Sequence, residues 1–271
     1  LGSAEDAKDA VQDVLVSYFS DRSKEIADEK NYLIRSVING AINMKSRQKR
    51  VLRNGERWLP EPIATDDTAD RNLYLNDVLS YSLLVLMERL TAKERAVFIL
   101  KETFDYPHTE IADILDITEE YSRKLLSRAK ANLFKPAQKR TEGQTAHDRE
   151  VLVKFMNAIR QRDIEQLEYA MAADIRFYAD GGGKVPLLAV ASTGSADVAA
   201  LIMTVYTRFL ASARIEYAWI NHQPALLSYV DGRLTSCQVF DLQPQTGSIL
   251  QINAVLDPDK LKALSQREII S

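Results

Sequence analysis

HTEIADILDITEEYSRKLLSRAKANL, residues 108–133, reads as two helices joined by a tight turn, the second of them basic. Ile111, Ala112 and Leu115 put small and aliphatic side chains on the inner face of the first helix. Asp116 and Ile117 make the turn. Thr118 is placed to cap the second helix, with Glu119 and Glu120 in its first turn. That helix carries Arg123, Lys124, Ser127, Arg128 and Lys130 and keeps Leu125, Leu126 and Ala129 for packing. Such a helix holds hydrogen-bond donors against a polyanion, and major-groove reading is its usual use. The same pattern suits an αα-hairpin with a solvated basic face, and the rest of the chain decides between the two.

Working outward, 271 residues are too many for one ordinary domain and suit two or three. A hydrophobic content of 46% excludes wholesale disorder. The net charge of −3 argues nothing for nucleic acid, but its distribution does. Between residues 45 and 57, Lys45, Arg47, Lys49, Arg50, Arg53 and Arg57 face a single acid, Glu56. Local basic stripes of this kind steer an acidic protein. The single cysteine, Cys237, excludes an internal disulfide and fits a reducing cytosol. No apolar run approaches the roughly 18 residues of a membrane span, and no signal peptide opens the chain. A cytoplasmic protein with no membrane partner is expected.

Residues 4–19 show a helical apolar stripe at Ala7, Val11, Val14, Leu15 and Tyr18, opposite Asp6, Asp9 and Asp13. A second helix is expected from about Glu25 to Val51, with Leu33, Val37, Ile38, Ala41 and Ile42 inward and a basic later half. Asn54-Gly55, Pro60, Pro62 and the acids Asp66, Asp67 and Asp70 then break the pattern. Helices resume near Leu73 and run to about Phe134, where Pro136 stops them; KRTEGQTAHD (139–148) reads as a polar linker. A helix over 147–170 follows. From Ile175 the texture alternates: IRFYAD, RIEYAWINH, PALLSYV, LTSCQVFDLQ and ILQINAVL read as strands, interrupted by a helix over 195–209. Gly181-Gly182-Gly183, Asp231-Gly232 and Gln245-Thr246-Gly247 punctuate them. An α+β domain with a curved antiparallel sheet wrapped on helices is expected.

With these motifs in place, the chain resembles an extracytoplasmic-function sigma factor of bacterial RNA polymerase, of the subgroup with a SnoaL-like C-terminal extension. LGSAEDAKDAVQDVL is similar to the region-2 helix that docks on the polymerase, which puts Asp6, Asp9, Gln12 and Asp13 at the contact positions, with Lys8 where an acid is usual. The helix bearing Arg35, Asn39, Asn43, Lys45, Arg47, Lys49 and Arg50 resembles the part that recognises and melts the −10 element. WLPEP (Trp58, Leu59, Pro60, Glu61, Pro62) resembles a linker motif of the subgroup. LTAKERAVFILKETFDYPHTEIADIL resembles region 4 and RKLLSRAKANL its −35-reading helix, although Asp116 replaces the usual turn glycine. DGGGK (Asp180, Gly181, Gly182, Gly183, Lys184) and DPDKL (257–261) resemble the extension's motifs, the latter more often beginning with Asn. The chain opens on Leu1, and the resemblance places another region-2 helix before it, so an incomplete region 2 is expected.

The resemblance implies a multidomain architecture. All-α region 2 (1–53), a linker (54–76) and region 4 (77–136) are followed by a short linker (137–146) and an α+β SnoaL-like, NTF2-like cone domain (147–271). It implies core RNA polymerase and promoter DNA as partners of a chain that is monomeric when free. Tyr121, Arg123, Lys124, Ser127, Arg128 and Lys130 would face the −35 element, Tyr121 either touching the sugar-phosphate chain or packing on the first helix. Asn39 and Asn43 fit either a flipped base or plain helix-surface polarity, while Arg47, Lys49 and Arg50 would hold phosphates. Leu15 and Phe19 are candidates to carry affinity beneath the acidic rim, with ordinary core packing the better reading for at least one of them.

The cone domain leaves more open. Proton transfer in an apolar cavity needs a base and an oxyanion donor. Tyr178, Asp180, His222, Tyr229 and Asp241 are the candidates, without a defining spacing, and fold analogy does not transfer function. His222 reads better as a satisfied strand histidine. DGGGK reads as a loop with positive φ and exposed N–H groups; no Lys-Ser/Thr helix follows, so it is not a nucleotide P-loop. No catalytic residue, metal or cofactor is expected. The loop is expected to meet the linker, with Trp58 and Leu59 as apolar anchors and Glu61 a partner for Lys184, so that the extension tunes how regions 2 and 4 engage a promoter. The competing readings are a helix-turn-helix regulator sensing a small molecule through the C-terminal domain, and an enzyme fused to a relic DNA-binding module.

Overall fold

The computed structural model describes residues 2–20, 26, 28–51, 58–65, 80–133, 144–244 and 246–265, and only the backbone at 46–51 and 144–145. Contacts divide the chain into two units: 1–54 with 83–136, and 55–82 with 137–271. The residues expected to link regions 2 and 4 therefore group with the C-terminal domain.

The first unit is helical. It holds α1 (Ala4–Ser20), α2 (Glu29–Val51), the body of α3 (Tyr81–Met87), α4 (Ala92–Phe98), α5 (His108–Leu115) and α6 (Glu119–Leu133). The start of α4 is fixed by a capping box: Thr91 Oγ1 accepts from the Glu94 N–H, and the Glu94 carboxylate accepts from the Thr91 N–H. After α4 a π-helical turn covers Ile99–Thr103. Ile34, Ile38 and Ile42, one stripe of α2, pack on a core of Val97, Leu100, Ile111, Ile114, Leu115 and Leu125.

The second unit is α+β. Helices α7 (Gln144–Gln161) and α8 (Ile164–Tyr169) precede strands β1 (Met171–Asp180) and β2 (Ala191–Thr193), and α9 (Ser195–Val205) ends in a π turn over Tyr206–Leu210. Strands β3 (Arg214–Ile220), β4 (Gln223–Val230), β5 (Arg233–Leu242) and β6 (Ile249–Val255) follow, then α10 (Pro258–Ser265). The sheet order is β2-β1-β6-β5-β4-β3. One face packs on the helices through Phe155, Met156, Ile175, Phe177, Ile202 and Phe240, with Phe155 and Phe240 meeting edge to face at 5.3 Å.

The structure departs from the sequence reading at four places. β1 and β6 run parallel in the otherwise antiparallel sheet, because α9 and four strands, β2 to β5, intervene between them. The helix expected over 147–170 is two, since Arg162 takes φ +56° and Asp163 caps the second by accepting from the Gln166 N–H at 3.0 Å. Helix α7 starts at Gln144, inside the expected polar linker. The strand expected through His222 stops at Ile220; Asn221 and His222 have φ +47° and +59°, the paired positive angles of a tight hairpin turn, as do Asp231 and Gly232. The helix start expected near Leu73 lies outside the described residues.

Candidate functional site

Helices α5 and α6 form the helix-turn-helix as expected. Asp116 takes φ 52° and ψ 58°, the left-handed conformation the turn requires, which an aspartate tolerates better than most residues. Thr118 Oγ1 caps α6 by accepting from the Tyr121 N–H at 3.2 Å. Ser122, Leu125, Ala129 and Leu133 are buried, and Tyr121, Arg123, Lys124, Ser127 and Arg128 are exposed. Tyr121 therefore shares the outward face rather than packing on α5. Carboxylates hold three of the cations: Glu119 pairs with Arg123, Glu120 with Lys124 at 2.7 Å, and Glu102 with Lys130 at 2.8 Å.

The start of α5 is tied to α6 by His108 Nδ1, 2.9 Å from Ser122 Oγ. Burial, then the neighbouring Arg123, lowers the His108 pKa below the ordinary 6.5. The unfolded chain therefore takes this proton at a higher pH than the fold does. Stability from this group is full above pH 6.5 and declines as the pH falls from 6.5 through the lower folded value. His108→Gln is expected to flatten that decline; thermal midpoints of both chains between pH 7 and 5 would check it, and equal slopes would refute it.

On α2, Arg35, Asn39 and Asn43 form an exposed stripe at four-residue spacing, about 100° round the helix from the Ile34-Ile38-Ile42 stripe. Lys45 does not join it. It is 8% exposed and reaches Glu88 at 2.8 Å, whose other oxygen takes Arg95 at 2.8 Å. The helix period turns position 45 toward the packed side, so the free chain keeps this cation sequestered. The side chains of Arg47, Lys49 and Arg50 lie outside the described residues. On α1, Asp9, Gln12 and Asp13 are exposed and Asp6 half-buried, and Leu15 and Phe19 are exposed beside them.

The densest polar construction is on the C-terminal domain. Alternation along β1 turns Phe177 and Ala179 to the helix-covered face of the sheet and Tyr178 and Asp180 to the other. Asp180 there is 5% exposed. Its Oδ2 accepts from the Leu59 N–H at 2.7 Å and from Lys260 Nζ at 2.6 Å, and its Oδ1 accepts from the Gly182 N–H at 2.8 Å. Lys260 Nζ also donates to the Leu59 carbonyl at 2.6 Å and lies 4.1 Å from the centre of the Trp58 ring. Leu59 is completely buried. One carboxylate and one ammonium thus grip both polar groups of a single residue in the joining segment.

Further contacts extend this grip. Ala64 bridges Ile220 beside the edge strand β3; the Thr65 N–H donates to Trp219 O and the Asn221 N–H to Ile63 O, both at 2.8 Å. Asn221 Oδ1 accepts from the Ile63 N–H at 2.9 Å. This is strand addition at a sheet edge. At the far end of the segment, the Tyr81 hydroxyl donates to Pro60 O at 2.7 Å and Gln223 Oε1 accepts from the Ser82 N–H at 2.7 Å. Burial holds the Tyr81 phenol well above its ordinary pKa, so it stays a donor.

The linker contact expected of DGGGK is therefore made through Asp180 and not through Lys184. Lys184 pairs instead with Asp259 and, at 3.7 Å, with Asp257, and with Lys262 it draws the Asp259 carboxyl down to about 2. Gly182 and Gly183 take φ +60° and +68°, as read. Sequence reasoning missed Lys260, Asn221, Gln223 and Tyr81; only Lys260 carried a signal, through DPDKL. Three of the acid-base candidates have other engagements. Asp180 is committed to the clamp, His222 stands in a turn where its N–H donates to Thr65 Oγ1, and the Tyr229 ring lies 4.2 Å from the Arg214 guanidinium.

Residues 80–133 match the family profile described as sigma-70, region 4. Along its length the chain is similar to the ECF RNA polymerase sigma factor SigJ of Mycobacterium tuberculosis, 28% identical over 280 residues that cover 98% of this chain and 89% of that one. It is also similar to a probable ECF RNA polymerase sigma factor, SigI, of the same organism, 25% identical over 272 residues, covering 95% and 87%. The crystal structure of M. tuberculosis SigJ matches with a TM-score of 0.72 at 26% identity, covering 97% of this chain and 92% of that one.

Proposed function

We propose that this chain, an alternative sigma factor of the extracytoplasmic-function group, selects promoters for RNA polymerase under the control of its own SnoaL-like domain. The role in transcription initiation follows from the region 4 match and from the likeness along nearly the whole chain. A free-standing ligand-sensing regulator is not favoured, because it has no use for the acidic helix that region 2 presents to the polymerase. We place the protein in the cytoplasm as a monomer until it meets core polymerase.

The observation that carries the regulatory part is the double grip of Asp180 and Lys260 on Leu59. A segment held at both ends, 58–65 and 81–82, has far fewer conformations than a free polar linker. Docking therefore restricts the separations that regions 2 and 4 can adopt, and with them which pairs of promoter elements are engaged together. Trp58 and Leu59 act as the anchors. Run-off transcription with core polymerase tests this by comparing the full chain with one ending near Arg140, and with Trp58→Ala and Lys260→Ala. A promoter-dependent change with truncation, reproduced in part by the point variants, supports the reading; unchanged transcription in all of them overturns it.

For the −35 element, Tyr121, Lys124, Ser127 and Arg128 present the donors, and Arg123 and Lys130 the flanking charge. Asp6, Asp9, Gln12 and Asp13 rim the polymerase contact, with Leu15 and Phe19 beneath. Arg35, Asn39 and Asn43 meet the −10 strand, joined by Arg47, Lys49 and Arg50, and by Lys45 once it leaves Glu88. Replacing Lys124 or Lys130 by Ala is expected to flatten the slope of log K against log salt by about 0.9 per lost phosphate contact. Filter binding or fluorescence anisotropy of the polymerase complex over a salt series would read it, and an unaltered slope would remove that residue from the interface.

A further inference from the structure

The helix read as meeting the −10 element and the helix-turn-helix share one apolar core. The Ile34-Ile38-Ile42 stripe of α2 packs on Leu100, Ile111, Leu115 and Leu125, and residues 1–54 and 83–136 form one unit. A unit of about 110 residues has a radius of gyration of about 13 Å. The −10 and −35 elements, about 25 base pairs apart, lie about 85 Å from each other at 3.4 Å a step. Duplex of that length is far shorter than the persistence length of about 500 Å and does not fold back. One compact unit cannot reach both elements.

Charge closes the same contact. Lys45 of α2 reaches Glu88 at 2.8 Å, and the other Glu88 oxygen takes Arg95 of α4 at 2.8 Å. The three side chains are between 10% and 17% exposed. Arg95, held further by Met87 O at 2.6 Å, already gives Glu88 an ion partner from its own region. The fold of region 4 therefore has no need of a second cation, and an apolar side chain at position 45 would bury at lower cost. A lysine is a compact point charge on a flexible stem, suited to exchanging a carboxylate for a phosphate. Ten residues back along α2, Arg35 stands 3.9 Å from Asp116 in the turn of the helix-turn-helix, an exposed pair of little worth alone. Two cations read as facing DNA thus face region 4 carboxylates instead. The seam beside them is loosely packed: a groove of about 580 Å³, lined by Leu33, Val37, Ala96 and Phe104 among others, runs along it, whereas permanent cores leave few voids.

We propose that the docking of region 2 on region 4 is a closed, reversible state of the free chain, latched by Glu88 on Lys45, and that promoter phosphates take the place of Glu88 as the unit opens. Opening rests on the proposed roles of α2 and α6 at the two promoter elements; the closure itself does not.

Single-molecule energy transfer in the full chain tests both. Donor and acceptor are placed on Lys30→Cys and Lys93→Cys, both exposed positions, while the buried Cys237 stays unlabelled. The free chain is expected in one high-efficiency population. Glu88→Gln leaves two buried cations against an uncharged amide and should raise the open-to-closed ratio by at least about tenfold. Adding Lys45→Met to Glu88→Gln should restore the closed population, because the ammonium that needed a counter-charge is gone; a region 4 that had merely unfolded would not recover. Ile38→Ser, which cuts the apolar seam from the region 2 side, should open the chain with its circular dichroism unchanged. A closed population unmoved by Glu88→Gln, or not restored by Lys45→Met, would overturn the latch, and one unmoved by Ile38→Ser would overturn the docking. In complexes with core polymerase that yield run-off transcripts the high-efficiency population should disappear, and its survival there would overturn the opening. A chain that yields no transcripts would instead refute its proposed role at promoters, with the free-chain measurements still deciding the closure.

Discussion

Asp180→Ala is expected to release residues 58–65 and to lower the stability of the C-terminal unit by about 3–5 kcal/mol, the usual cost of breaking a buried ion pair from one side. The side chains of Asp180 and Lys260 are 6% and 11% exposed, so neither is solvated well enough to spare the other. Removing the carboxylate takes from the buried Lys260 ammonium its counter-charge and leaves the Leu59 N–H without its acceptor. Leu59 then keeps only its apolar burial and the Lys260 bond to its carbonyl, and where it leaves, exposing it adds about 2–5 kcal/mol to the loss. Asp180→Asn keeps one acceptor oxygen, enough for the Leu59 N–H or the Gly182 N–H but not both, while losing the charge, and should fall between. Urea midpoints, together with the rate of protease cleavage within 58–65, would measure both effects. An unchanged midpoint with unchanged cleavage would show that the clamp contributes nothing.

The second large effect is expected from Gly181→Ala. A Cβ at this position would lie 2.3 Å from the Val185 carbonyl oxygen, a backbone atom that cannot swing aside. The same turn is closed by the Lys184 and Val185 N–H groups, both donating to Gly181 O. Relieving the clash therefore means opening the turn, at about 1–3 kcal/mol of overpacking strain. The damage spreads, because Asp180 is the preceding residue and its carbonyl accepts from the Leu256 and Asp257 N–H groups at the entrance to α10. Gly232→Ala is the control: φ is +73° there, but a Cβ meets nothing within 4 Å. It should cost only the roughly 1–2 kcal/mol of a left-handed alanine and leave the joining segment docked. Equal losses in the two variants, or protease resistance of 58–65 in Gly181→Ala, would contradict this account.

Local chemistry made much of the molecule legible. The helix-turn-helix could be read because its signals are short-range: an apolar spacing, a capping threonine that does cap, and basic residues on the face that Ser122, Leu125 and Ala129 leave outward. The strands of the C-terminal domain could be read from alternation, and the glycine loop from its need for positive φ. The break at Arg162 and the Asn221-His222 turn were hidden, because each depends on a non-glycine residue adopting a left-handed conformation that its neighbours do not announce.

The site was legible in outline and misassigned in detail. Trp58–Pro62, Asp180 and the DPDKL run were all singled out, yet the pairing expected was Lys184 with Glu61. Two lysines, Lys184 and Lys260, stood near the right motifs, and composition does not distinguish them. Chain direction does: Lys260, in the first turn of α10, reaches Asp180, while Lys184 sits beyond two left-handed glycines and turns to Asp259. Lys45 was likewise grouped with exposed cations, although the helix period rotates it onto Glu88.

By itself, then, the order of residues determined the two classes of domain, the basic second helix of the helix-turn-helix and the acidic first helix, because propensity, capping and apolar periodicity act within a few residues. Only the tertiary structure decided which charges meet across 75 to 80 positions and which face of the sheet receives the joining segment. Those outcomes depend on strand parity and register summed over the whole sheet, so a single misplaced residue in reading them would turn the clamp to the other face.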